Sequence, residues 1–206
     1  MNKSIEGIIK VGLIYWIKSQ CQKINNIEIQ INLSFKGFLN YSLNHTEFSA
    51  EDIIFKNLFI NKISIIADQI NLKLNPINTN NKLILMENDF DIDAELIFNE
   101  SSINNILESK DWEWLLLLLK NTFLDNNDFI GVIFDNDQFL IKTIDPSKTK
   151  INENYFHLNV NNGKLFIKET QSSEEIELPI DEAIKIKSIH LRKTYLSITI
   201  ESEVKV

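Results

Sequence analysis

The sequence predicts an α+β protein dominated by antiparallel sheet, with a long N-terminal helix and a short helical pair between two meanders. Three observations predict it. Residues 3–23 repeat apolar side chains at three- and four-residue spacing, the helical period. Most of the remaining chain alternates apolar with polar residues, as a strand with one buried face does. The connections between these stretches are too short for the helical crossovers that parallel strands need. At 206 residues and 44% hydrophobic, the chain can bury one sizeable core, so residues 1–206 are read as a single domain.

In the first element Ile5, Ile8, Ile9, Gly12 and Trp16 share a helical face, while Val11, Ile14 and Ile17 fall elsewhere on the wheel. A helix apolar over most of its circumference is covered on several sides, by a sheet or by a membrane. Ile27, Ile29, Ile31, Leu33 and Phe35 then alternate with polar residues, and Gly37 marks a bend before Leu39, Tyr41 and Leu43. Leu58 and Ile60 continue the alternation, which slips near Lys62 and resumes at Ile70, Leu72 and Leu74. After a further strand, Asn99 is a good N-cap with Glu100 in the first turn, and Asp111 opens a second helix reading "DWEWLLLLLKNTF". The second half returns to strands, with hairpins around Asn136 and at Asn162-Gly163.

Composition excludes several functions. With a net charge of −8 and Arg192 as the only arginine, the chain lacks the equipment for phosphate-backbone contacts, so nucleic acid is not expected as a partner. No GxGxxG or Walker-type stretch is present. Cys21 is the only cysteine, which rules out an intramolecular disulfide and a cysteine-based zinc cluster and suits a reducing compartment. Glu6 and Lys10 interrupt the apolar N-terminus and no small-residue cleavage site follows, so it is read as part of the fold rather than as a signal peptide.

One motif invites a metal. In "NDFDIDAELIFNE", Asp89, Asp91 and Asp93 alternate and Glu100 is twelfth from Asp89, the spacing of an EF-hand loop. The sixth position, where the loop needs Gly, is Ala94, and no amphipathic helix leads in. Phe90, Ile92, Ala94, Leu96 and Phe98 alternate with the acids, which favours a strand with its carboxylates in water. His45, His157 and His190 are far apart and form no metal or catalytic spacing, and no serine sits in a nucleophile elbow. Lys18 and Lys23 flank Cys21 and would lower its pKa, whereas a helix C-terminus would raise it. Lys185, Lys187, Arg192 and Lys193 form a basic cluster that reads as charge balance in so acidic a chain. No cofactor or metal is expected, and no catalytic residue is assigned.

"IYWIKSQCQKINNIEIQINLSFKGFLNYSL", "DIIFKNLFINKISIIADQINLKLN" and "DAELIFNESSINNIL" together resemble the bacterial LmeA-like phospholipid-binding family over roughly residues 8–120. Phe55, Asn57, Leu58, Ile60, Ile63, Ile65, Ile70, Leu72 and Leu74 occupy places in one family pattern, with Asn57 where Gly is usual. Glu95, Leu96, Phe98, Glu100, Ile103 and Asn104 mirror another. The resemblance implies a long helix cradled by a highly curved antiparallel sheet, similar to tubular lipid-binding folds. It implies phospholipid contact as the role, and the leading expectation is a non-enzymatic protein that binds phospholipid or another acyl lipid. Some members of that family are exported to the cell envelope, whereas the missing signal peptide here points to a cytoplasmic protein in peripheral contact with the inner face of a membrane. Ile9, Leu13, Trp16, Leu72, Leu96, Trp112 and Leu116 are the expected walls of an acyl groove between helix and sheet, with Gly12 giving room beside Trp16. Two other readings fit the same apolar richness: an interaction module with a fully packed core, and a carrier or lyase for a hydrophobic chromophore anchored by Cys21 or the histidines.

Overall fold

The computed structural model describes residues 2–37, 39–74 and 84–206. The chain is α+β and mostly antiparallel sheet, as its periodicities predict. It begins with helix α1 (Asn2–Gln20) and the long strands β1 (Lys23–Gly37), β2 (Asn40–Phe55) and β3 (Leu58–Leu74), followed by β4 (Ile84–Met86) and β5 (Phe90–Phe98). Helix α2 (Glu100–Glu108), a single 3-10 turn at Lys110–Trp112 and helix α3 (Glu113–Phe123) form the interlude. Strands β6 (Asp128–Asp135), β7 (Gln138–Ile144), β8 (Ile151–Asn161), β9 (Lys164–Glu169), β10 (Glu175–Glu177), β11 (Ile184–Leu191) and β12 (Leu196–Val204) complete it. Among the described residues no helix is long and apolar enough to cross a membrane.

The strands make two sheets. One has seven strands in the order β1-β2-β3-β5-β12-β11 with β4 beside β3, so the last two strands return to the first meander. The other has five, in the order β10-β9-β8-β7-β6. The acid-rich stretch is strand β5, whose Asp91, Asp93 and Glu95 are exposed while Ala94 and Phe98 are buried. Its acids serve neighbouring strands: Lys187 bridges Asp93 and Glu201, which face each other in the register, and Glu95 accepts from the Ser197 hydroxyl at 2.7 Å.

The slip near Lys62 is half of a larger device. Pairing of β2 with β3 omits Asn44 opposite Gln69 and Asp52 opposite Asn61, and Gln69 and Asp52 have positive φ. At each omission both strands switch the parity of their inward residues together. Ile53 and Ile60 face inward at one end, Ala50 and Ala67 in the middle, and Leu43 and Ile70 at the other end. The apolar face is thereby kept continuous along strands too long for an unbroken period of two.

Two hydrophobic clusters share this face, because β5 carries Phe90 and Ile92 into one and Leu96 and Phe98 into the other on a single alternation. In the smaller cluster α1 lays Ile5, Ile9 and Leu13 over Leu43, Ile70 and Leu72. Only part of the predicted helical face is covered: Ile9 is fully buried, whereas Ile8 and Trp16 are exposed. Gly12 is half-buried, and a Cβ there would lie 3.1 Å from Ile84 Cδ1, so a side chain at this glycine presses on Ile84 rather than entering open space.

The larger cluster lies between the two sheets and under α2 and α3. Phe156, fully buried, stacks on Phe139 and meets Phe123 edge-on, both with ring centroids 5.3 Å away. Helix α2 also closes the edge of the five-stranded sheet. Glu100 accepts from the Phe134 backbone N–H at 2.6 Å, and Asn104 accepts from that of Val132 at 2.7 Å while donating to its carbonyl. Two side chains one turn apart thus stand in for a missing strand.

Candidate functional site

Between the sheets lies a cavity of about 870 Å³, within the larger cluster. Period-two alternation aims Leu96 and Phe98 of β5 and Ile198 of β12 into it from one side. Val132 and Phe134 of β6 and Ile141 of β7 supply the opposite wall. The helical interlude forms the roof, with Ile106, Leu107 and Leu115 on faces set by i, i+3 and i+4 spacing. Among the described lining residues, only Gln22, Lys56, Asp111 and Asp181 carry charged or amide side chains, and there is no Ser, Thr, Cys or His. Such walls offer mainly dispersion and exclusion of water, with the charged side chains few among them.

Three of the polar lining residues belong to a hydrogen-bonded rim. Lys56 and Asn57, both at positive φ, make the tight β2–β3 turn, a conformation that Asn tolerates. Asn57 donates to Asp111 at 2.7 Å, and its backbone N–H reaches the Gln22 side chain at 3.3 Å. Trp112 Nε1 donates to the Lys56 carbonyl at 3.2 Å, and its ring lies 5.9 Å from that of Trp114. The α1–β1 junction, the β2–β3 turn and the α2–α3 turn are thus joined at one edge of the cavity.

The structure separates the residues that the sequence grouped as acyl walls. Leu96 and Trp112 line the cavity. Leu116 is half-buried against the surrounding cluster, outside the lining set. Ile9 and Leu72 are completely buried in the smaller cluster, and Leu13 packs beside them. Trp16 is exposed. The contributions of β6, β7, β11 and β12 were missed. Their alternation shows which residues point inward, but nothing local shows that the two sheets face each other across a gap.

The chromophore anchors lie elsewhere. Cys21 is half-buried and free, and burial pushes its thiol above its ordinary pKa, away from the reactive thiolate. His45 is on the exposed side of the seven-stranded sheet, its Nδ1 2.7 Å from Asp68 and its Nε2 3.1 Å from Glu47. His157 Nδ1 meets the Asp137 carbonyl at 3.1 Å. Among the described residues no group of three or more His, Cys, Asp or Glu is placed to hold a metal ion. No protein-family model, curated protein or solved structure matches this chain.

Proposed function

We propose that the protein is a non-enzymatic lipid-binding protein that holds acyl chains in the cavity between its two sheets. One observation carries the reading: about 870 Å³ of space with apolar walls in the middle of the larger core. Packed interiors leave few voids larger than a water molecule. The volume is that of a small-molecule site, typically about 300–1,000 Å³. It favours a lipid site over the fully packed interaction module. No cysteine or histidine faces the space, which disfavours a covalently anchored chromophore. The likeness to the LmeA-like phospholipid-binding family points the same way. The tubular arrangement inferred from that likeness belongs to this proposal, with the acyl site moved from the α1 groove to the space beneath α2 and α3.

Energetics set the expected ligand length. Each buried methylene contributes about 0.8 kcal/mol, so about twelve contribute roughly 10 kcal/mol. Association and ordering cost about 4–15 kcal/mol. Short chains therefore bind weakly, and affinity rises about fourfold per added methylene until the cavity is full. The test is solvent extraction of the purified protein with mass spectrometry, joined to fluorescent fatty-acid displacement by a series of chain lengths. Co-purified phospholipid or fatty acid, or the length dependence, supports the reading, and a pigment supports the carrier. An empty extract from a protein that displaces no probe overturns it.

A further inference from the structure

The two sheets have four edge strands, and three of them are closed. Strand β6 is covered by α2, whose Glu100 and Asn104 bond its backbone. Strand β10 is only three residues long. Strand β11 gives its backbone to the other sheet: the Ile186 N–H donates to the Gly163 carbonyl at 2.8 Å, and the Leu191 carbonyl accepts from the Asp137 N–H at 3.3 Å. The fourth edge is β1, and among the described residues its one strand partner is β2. A strand paired on one side turns the N–H and C=O of alternate residues away from its neighbour, and lysine, proline or a bulge is the usual guard. From Glu28 to Phe35 there is no Lys or Pro. The break in pairing at Asn32–Leu33 comes from the extra residue Asn44 on β2, so β1 itself runs on. Its apolar side ends in Phe35, which is 64% exposed.

This edge is complementary to itself. Two copies of β1 turned antiparallel about a two-fold axis at Asn32 set Ile31 opposite Leu33, Ile29 opposite Phe35, Gln30 opposite Ser34 and Glu28 opposite Lys36, each pair formed twice. Every pair joins residues of one parity, so the apolar residues stay on one face and the exposed Glu28, Gln30 and Asn32 on the other. Moving the axis to Ile31 keeps the faces but sets Glu28 opposite Ser34 and Lys36 opposite Asn26; moving it to Leu33 leaves Glu28 beyond the end of the partner strand. Charge therefore singles out the axis at Asn32. Lys36, the extra residue of β1 beside Gly37, donates to the Asn71 side chain at 2.8 Å and keeps further N–H donors for a carboxylate. We infer that β1 is a dimerisation edge, at which two copies of this chain join β1 to β1 about Asn32 into one continuous sheet. None of residues 28–36 lines the cavity, so the inference is independent of the acyl-binding reading.

Sedimentation velocity over a range of protein concentrations tests it. Wild type should be dimeric. Glu28→Lys and Lys36→Glu should each weaken the dimer about tenfold, because like charges then face each other twice across the axis. The chain carrying both changes should regain the dimer, since each pair is restored with its signs exchanged. Circular dichroism checks that the variants fold. The register has its own test in a Cys21→Ser background. There Asn32→Cys should cross-link to its copy under mild oxidation and Gln30→Cys should not, because only a residue on the axis comes within disulfide reach of itself. A wild type that is monomeric at every concentration overturns the inference. So does a dimer that survives both single charge reversals, one that the double change fails to restore, or cross-linking at Gln30 and not at Asn32.

Discussion

Asn61 accepts two hydrogen bonds from a helix start 38 residues later in the chain: the Asn99 backbone N–H at 2.6 Å and the Ser102 hydroxyl at 2.8 Å. Asn99 in turn caps α2 by accepting from the Ser102 N–H at 2.8 Å. Asn61→Ala leaves these partly buried donors unpaired and should cost about 1–3 kcal/mol, read from the denaturation midpoint. The cap itself was legible, because capping is local and Asn followed by Glu is a helix-start signal. Asn61 was not legible, because it is placed by the pairing irregularity opposite Asp52. Glu100 shows the same limit: its sequence spacing suggested calcium, while its carboxylate is bonded to the backbone of Phe134. On the outer face, hydrogen bonds from the His45 ring to Asp68 and then Glu47 raise the pKa of His45 above its ordinary 6.5. A raised folded-state pKa means that the charged imidazole stabilises the fold fully below about pH 6.5, with the contribution lost as pH rises through the folded value. Asp68→Asn should lower the His45 midpoint in an NMR titration. Its destabilising effect should be present near pH 5 and vanish near pH 9.

Helix α2 does for β6 what a neighbouring strand would do, through Glu100 and Asn104. Asn104→Ala strips both backbone groups of Val132 of their side-chain partners and should cost about 1–3 kcal/mol. It also uncovers a strand edge, so the variant should aggregate faster on refolding, followed by light scattering. The elements were largely legible because periodicity is written in consecutive residues: β5, the capped α2 and the Asn-centred hairpins all form. The coverage of α1 was less so. Its circumference is apolar nearly all round, and a wheel with two apolar sides does not say which one meets the sheet. Ile9 is buried, while Val11 and Tyr15 face water. The sequence suggested room at Gly12, but a Cβ there would lie 3.1 Å from Ile84 Cδ1, closer than ordinary van der Waals contact. Gly12→Leu should therefore overpack α1 against β4 and cost about 1–3 kcal/mol.

At the scale of the whole molecule, one apolar sheet face serves two clusters with different tasks. The smaller cluster holds α1 and is packed; the larger encloses the cavity. Sequence alternation identified the face but could not divide it, since inward-pointing residues look alike whether they meet a helix or an empty space. The division makes the two functions separable by substitution. An acyl ligand present at about one hundred times its dissociation constant stabilises the fold by about 2.7 kcal/mol. In a chain of 206 residues that should raise the melting temperature by roughly 5–10 °C. Ile198→Trp places a larger apolar side chain in the cavity from β12, so ligand should raise the melting temperature less, while the unliganded protein stays folded. Gly12→Leu acts in the other cluster, beyond contact with the cavity lining, and effects at independent sites add. It should lower the melting temperature of the free and the liganded protein equally and leave the increment between them intact. If Gly12→Leu removes the increment and Ile198→Trp preserves it, the acyl site lies under α1, and the cavity between the sheets is not where the ligand binds.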